Sequence, residues 1–337
     1  MKKVFGAMPN GEACYLYTLR AGQLTAEVSD LGATLVRLYV PDARGNLADV
    51  VLGYDSPAGY LESKTYFGAT VGRNANRIAG AAFVLNGTTC VLNANEGHNS
   101  LHSGPEGYNV RLWDVISHKE DRIVLQLHSP HGDQGFPGNA HIRVTYILEA
   151  DCLRIIYDAI SDRDTLFNLT NHSYFNLAGH QNQEKAMEQT LMMPARFFNP
   201  DDEVNIPTGE LRPVEGTPMD FRVPKALGQD IHMDYEPLHL QGGYDHNFEV
   251  FCNPAAILTD IESGREMAIY TDCPGIQVYS GNFTEGEGKD GVCYTKRCGV
   301  ALETQFYPDS VHHPDWPQPF VKANVPYHSE TKYRFSW

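Results

Sequence analysis

Apolar residues recur at every second position along most of this chain, and that spacing belongs to extended strands rather than helices. Leu24, Ala26 and Val28 show it first, followed by Ile123, Leu125 and Leu127, then Ile142, Val144, Tyr146 and Leu148. Leu153, Ile155, Tyr157 and Ala159 repeat the pattern, as do Val300 and Leu302 near the other end. Phe83-Val84-Leu85, Asn86-Gly87 and Thr88 to Leu92 read as a hairpin, because Asn-Gly supplies the positive φ angles of a type I′ turn. No long amphipathic helix is visible; residues 181–190 and 224–232 are each expected to hold a short helical turn. Gly and Pro interrupt the chain at short intervals without a repeat or a linker that would divide it. The expectation is one all-β domain spanning residues 1–337, a large antiparallel β-sandwich, with 195–225 as an ordered, acidic surface loop.

Composition narrows the partners. The 337 residues are 42% hydrophobic and 11% aromatic, enough for a sizeable core. Asp plus Glu number 42 against 26 Lys plus Arg, a formal charge of −16, which opposes nucleic acid and anionic lipid as partners. The N-terminus breaks at Pro9-Asn10-Gly11 before a secretory h-region could form, and no apolar run is long enough to span a bilayer. Seven scattered cysteines without Cys-x-x-Cys argue against a disulfide framework or zinc ribbon, and a reducing cytoplasm is the expected location. Four Asn-x-Ser/Thr sequons, at Asn86, Asn168, Asn171 and Asn282, carry no glycosylation meaning in that setting.

Several polar clusters interrupt the alternation. NLTNHSYFNLAG (168–179) sets His172 among Asn168, Asn171 and Asn176, side chains that both donate and accept hydrogen bonds. His102 lies in NSLHSG. In GVALETQF, Val300 and Leu302 face one way and Ala301, Glu303 and Gln305 the other, which puts a carboxylate within an apolar strand. Such a carboxylate needs partners or an elevated pKa if the face is buried, and is ordinary if the face is wet. Asp245 in QGGYDHNF reads either as a turn residue or as a ligand, and Arg77 in GRNANRIAG either as an ion-pair partner or as a fork for vicinal hydroxyls. Gly286–Gly291 matches Gly-x-Gly-x-x-Gly, but the alternation after it makes it a loop rather than a phosphate cradle. His98 and His102 have helical metal spacing in a sequence that reads as loop, so no metal site is expected.

Taken together, GRNANRIAG, NSLHSG, DQGFPG, NLTNHSYFNLAG, IPTGEL with PVEGTPMDF, GGYDHNF, PGIQVYSGNF and GVALETQ resemble the aldose 1-epimerase (galactose mutarotase) family, in order and over nearly the whole chain. The resemblance implies a β-sandwich of the galactose mutarotase type and a sugar cleft. It also implies no cofactor, and a protein that is a monomer or homodimer acting on a small aldose such as glucose or galactose. Carried across position by position, it makes Glu303 the catalytic base and His172 the catalytic acid, with Asn76, Arg77, His102, Asp245 and Gln277 contacting sugar hydroxyls. Ser103, where many relatives have Gly, and His131, where Asp is more usual, depart from the family pattern away from the acid and base.

That chemistry needs both groups. Exchange of anomers takes a proton from the C1 hydroxyl, protonates the ring oxygen, rotates C1–C2 and recloses, so an acid and a base must flank the hemiacetal. A neighbouring negative charge is expected to keep His172 an imidazolium, Asn168 and Asn171 to orient its ring, and Tyr174 or Phe283 to wall the sugar. The rivals are a glycoside hydrolase, which would more often use two carboxylates, a non-catalytic sugar sensor, and a phosphohexose enzyme, which would need a basic cluster.

Overall fold

A computed structural model describes residues 1–337 and contains three large sheets whose strand pairings are all antiparallel. The largest has nine strands in the order Asp114–His118, Arg122–Ser129, Ala140–Leu148, Cys152–Ser161, Tyr327–Ser336, Glu266–Thr271, Ala256–Thr259, Thr190–Met192 and Lys225–Ala226. A six-stranded sheet runs Tyr174–Phe175, Val300–Gln305, Gly275–Tyr279, Asp245–Glu249, Phe197–Phe198, Arg212–Pro213. An N-terminal meander of five strands covers Lys2 to Asp49.

Alternation explains why these sheets stack. Ile123, Leu125, Ile142, Val144, Tyr146, Leu153, Ile155 and Tyr157 are all buried on the inner face of the nine-stranded sheet. They share one core of 53 buried residues with Phe248, Ile276, Val278, Val300 and Leu302 of the six-stranded sheet and with Leu19, Ala26 and Leu38 of the meander. Removing that apolar surface from water favours folding by roughly 25 cal/mol per Å². Few polar contacts cross the layers. Tyr146 Oη donates to Ala33 O at 2.6 Å, and Phe175 packs on Tyr333 with ring centroids 5.2 Å apart.

The hairpin expected at 83–92 is formed by Ala82–Leu85 and Thr88–Val91, with Asn86 and Gly87 at φ 51° and 77°. The acidic 195–225 segment pairs as well as loops, because Phe197–Phe198 and Arg212–Pro213 form the edge of the six-stranded sheet. Of the two helical expectations one is met. The short turn in 181–190 is the 3₁₀ turn Gln183–Lys185, whereas 224–232 holds no helix and contributes the edge strand Lys225–Ala226 instead. Both α-helices, Pro57–Glu62 and Glu236–Gln241, are six residues long and lie elsewhere, each with a proline in its first two positions, where the missing N–H costs nothing.

Between the layers runs the segment that carries the first sequence motif, anchored by Arg73. Its guanidinium is 1% exposed and donates to Pro137 O at 2.6 Å, Gly138 O at 3.3 Å, Thr165 Oγ1 at 3.2 Å and Ser129 Oγ at 2.5 Å. Ser129 Oγ in turn donates to Asp133, which accepts a bidentate pair from Arg111. One buried cation thus ties GRNANRIAG to DQGFPG and fixes where residues 74–77 emerge. Replacing it strands several buried acceptors at once. Arg73→Met is expected to destabilise by about 3 kcal/mol or more, read as a lowered urea midpoint with an unchanged slope.

Candidate active site

The central strands of the six-stranded sheet build the floor. Asn247 lies opposite Gln277, and Gln277 opposite Glu303, so three polar side chains stand in a row across Asp245–Glu249, Gly275–Tyr279 and Val300–Gln305. The period of two puts Asp245, Tyr279 and Gln305 on the same face, while Val278, Leu302 and Phe248 point into the core on the other. Glu303 therefore faces inward as the alternation of GVALETQF requires; it is 2% exposed on a central strand, and the wet-edge alternative falls away. A polar chain then runs along the floor. Gln277 Nε2 donates to Asp245 Oδ1 at 2.8 Å, Gln305 Nε2 to Gln277 Oε1 at 3.3 Å, and Asn247 Nδ2 to Asn199 Oδ1 at 2.8 Å.

His172 enters from the side. Tyr174 pairs with Ala301, and His172 sits two residues before it, bringing His172 Nε2 to 3.5 Å from Glu303 Oε1. Its backbone is held by the Tyr66–Ala69 turn: Gly68 N donates to His172 O at 2.9 Å and His172 N to Ala69 O at 3.0 Å. Gly68 has φ 64°, and a Cβ there would lie 2.0 Å from Leu35 O, so only glycine allows the turn to approach that strand. The asparagines expected to orient the ring do not touch it. Asn171 Nδ2 donates to Gly68 O at 2.7 Å and its Oδ1 accepts from Ser173 N, while Asn168 bonds Phe306 N at 2.9 Å. They satisfy backbone groups where strands end, and so they place the segment rather than the imidazole.

The remaining sequence candidates converge on the same cleft. Asn76, at φ 58°, and His102, at φ 50°, clasp each other: Asn76 N donates to His102 Nδ1 at 3.1 Å and His102 N to Asn76 O at 3.0 Å. Ser103 Oγ, the departure from the family pattern, bonds both Asn74 N and Asn74 O, at 2.7 and 3.0 Å, and reinforces that clasp. Arg77 is an ion-pair partner as well as a candidate fork, since its Nε and Nη2 meet Glu96 at 2.5 and 2.9 Å. Glu96 and Tyr66 carried no sequence signal, because each is a single residue in a loop with no periodicity. Phe283 is 76% exposed and does not wall the buried floor, whereas Tyr174 stacks on His172 with centroids 5.1 Å apart.

His102, His172 and Glu303 place one ligand-type atom each within 4.8 Å of one another, the one grouping of three that has metal-site spacing. The tautomer opposes a metal. His102 Nδ1 already accepts the Asn76 N–H, so the neutral ring carries its proton on Nε2 and serves as a donor.

Burial governs the charges. Desolvation, reinforced by Asp245, pushes Glu303 well above the usual carboxylate range. Desolvation also lowers His172 to about 4, against the expectation that a neighbouring charge would hold it protonated. His102 goes well down for the same reason, with His172 and Arg77 adding to it. Arg77 is pulled down by burial, but the Glu96 bond and Asp245 outweigh this and its net shift is upward. Asp245 and Asp201 are both raised, again first by burial. On the core side, burial brings His246 to about 3.

A histidine buried in its neutral form contributes stability above its unfolded pKa of about 6.5, and that contribution disappears as pH falls through the folded value. Glu303, Asp245 and Asp201 act in the opposite sense, so the effect shows as a difference between proteins. Relative to His246→Gln, the wild type is expected to lose urea stability progressively between pH ~6.5 and about 3, with no further divergence below.

A family profile described as Aldose 1-epimerase matches residues 15–334. Galactose mutarotase of Bos taurus is 40% identical over 99% of this chain and 98% of its own, and that of Homo sapiens 38% over the same shares. Aldose 1-epimerase of Escherichia coli K12 is 37% identical over 97% of this chain and 96% of its own. Among solved structures, an aldose epimerase homologue from C. elegans superposes with TM-score 0.88 at 31% identity, covering 95% of this chain and 98% of that one. Galactose 1-epimerase from Lactobacillus acidophilus gives 0.87 at 26%, covering 100% and 98%. With a profile match over nearly its full length and relatives this similar at both ends, the chain belongs to the aldose 1-epimerase family.

Proposed function

We propose that the protein, acting as one domain, interconverts the α and β anomers of a free aldose of the glucose and galactose type. Glu303 is the base at the C1 hydroxyl and His172 the acid at the ring oxygen. The observation that carries this reading is the contact between the two groups, His172 Nε2 to Glu303 Oε1 at 3.5 Å, at one end of a floor lined with hydroxyl-binding side chains. Arg77, Asp245, Gln277, Asn76 and His102 grip hydroxyls remote from C1, which leaves C1–C2 free to rotate in the open form.

The pKa shifts explain how the pair works. One proton belongs to it in either arrangement, as carboxylate with imidazolium or as carboxylic acid with imidazole. Ring opening converts the first into the second, since the C1 hydroxyl proton goes to Glu303 and the His172 proton to the ring oxygen. Burial favours the second arrangement, so the raised carboxyl is a stronger base and the depressed imidazolium a stronger acid than either would be in water. Reclosure runs both transfers backwards and restores the starting state. A phosphorylated sugar fits poorly, because Glu303, Asp245, Asp201 and Glu96 surround a single Arg77.

Polarimetry of freshly dissolved α-glucose and α-galactose is the direct test. Wild type should accelerate the change over buffer, and Glu303→Gln should lower kcat by about 10²- to 10⁴-fold. The acid limb of kcat/KM should fall near pH about 4 rather than at ~6.5, because the pair gains a second proton only below the depressed His172 value. No acceleration with either sugar would overturn the reading. Glu96→Gln, which loosens Arg77 without touching the proton pair, is expected to raise KM by roughly tenfold with kcat nearly unchanged, as initial rates over a range of sugar concentrations would show.

A further inference from the structure

His172 Nδ1 is buried and has no hydrogen-bond partner, so no polar contact on that side fixes the rotation of its ring. Aromatic neighbours surround it instead. Tyr174 lies 21° from parallel at 5.1 Å and Tyr66 20° from parallel at 5.7 Å, while Tyr279 and His102 present their edges at 6.4 and 5.4 Å. Tyr174 and Tyr279 lie on strands of the six-stranded sheet, and Tyr174 is only 2% exposed. Tyr66 differs from both. It belongs to the turn that holds the His172 backbone through Gly68 and Ala69, it sits at φ 57°, and its ring also packs on His102 with centroids 4.6 Å apart. A bulky residue in left-handed conformation carries strain that surrounding structure must offset, and such positions collect at functional sites.

We infer that Tyr66 is a positioning residue: its ring, not its hydroxyl, sets the plane of the His172 imidazole so that Nε2 points toward Glu303 and the ring oxygen of the sugar. The same turn thus fixes His172 twice, by two backbone hydrogen bonds and by stacking. This inference rests on the mutarotase reading for its catalytic consequence, though the ring contact itself does not. The groups facing His172 are Glu303 from the central strand, His102 from the loop after Ser100–Leu101, and Tyr174 and Tyr279 from the sheet, with Arg77 and Asp245 the charges acting on Glu303. Tyr174 also stacks, at 5.1 Å, but from the sheet; Tyr66 is the stacking ring carried by the turn that holds the His172 backbone.

The test compares Tyr66→Phe, which keeps the ring, with Tyr66→Asn, which removes it while tolerating the left-handed backbone. Tyr66→Phe should hold kcat within about twofold, and Tyr66→Asn should lose on the order of tenfold or more in kcat with a smaller change in KM. Water admitted beside the imidazole should also move the acid limb of Tyr66→Asn upward from about 4 toward ~6.5. Independently of turnover, the His172 Cε1–H resonance, assigned by its loss in His172→Asn, should carry a ring-current shift in wild type and Tyr66→Phe that shrinks in Tyr66→Asn. Equal kcat in all three proteins, an equal loss in both variants, or a loss confined to KM would overturn the inference. So would a ring-current shift equal in wild type and Tyr66→Asn, because Tyr174, stacked at 5.1 Å, contributes to it in both. Absence of catalysis in the wild type would instead overturn the mutarotase reading and leave the resonance test standing.

Discussion

Burying a carboxylate in the middle of a sheet is costly, and the design of the site follows from how Glu303 is accommodated. An isolated charge there would be driven to neutralise by several pKa units. The strand Val300–Gln305 keeps Val300, Leu302 and Thr304 on its core side, so the alternating face can hold the polar row without opening the core to water. Gln277 stands beside Glu303 in register but gives its amide to Asp245, and Glu303 Oε2 is left without a partner. The carboxyl is thus surrounded by polar groups yet not saturated by them. A fully hydrogen-bonded carboxylate would be a weak base; this one keeps a free lone pair and a raised proton affinity.

Around that strand the loops are fixed by backbone-directed contacts rather than by the side chains that line the cleft. Arg73 collects acceptors from three separate stretches, Gly68 lets a turn approach the Thr34–Pro41 strand, and Asn168, Asn171 and Asn176 each close off strand-end backbone groups. Of these anchors only Arg73 is charged, and none of them is among the charged groups that act on the Glu303 proton, which are Asp245 and Arg77. Arg73 itself is matched through Ser129 to Asp133.

The sequence made the strands legible because burial on one face leaves a period-two imprint, as at Ile142 to Leu148, whose alternate side chains are all buried. The same logic placed Glu303 on the face opposite Leu302. Helices of six residues leave no comparable imprint, so Pro57–Glu62 and Glu236–Gln241 have no sequence signature, and the apparent turn at 224–232 is a strand while that at 181–190 is real. The site was legible as a set of motifs, but the work of individual residues was not. Asn171 looked like a partner for His172 because the two are adjacent in sequence, yet in space its amide turns to Gly68 and Tyr146. Glu96 and Tyr66 reach the site through tertiary contacts that no local pattern encodes. The protonation of His172 was misjudged for a related reason: sequence shows a possible counter-charge but not how completely water is excluded.

In the proposed mechanism, the single proton shared by Glu303 and His172 has a consequence for the walls around them. Each opening would be undone by a closing, so the pair would end every cycle as it began and exchange nothing with bulk solvent. An enzyme with that closed circuit has no use for a water file or a relay leading to the surface. His172, the proposed acid, can then be lined by the rings of Tyr66, Tyr174 and Tyr279, and the dryness that would stall a hydrolase is compatible with every step of that reading.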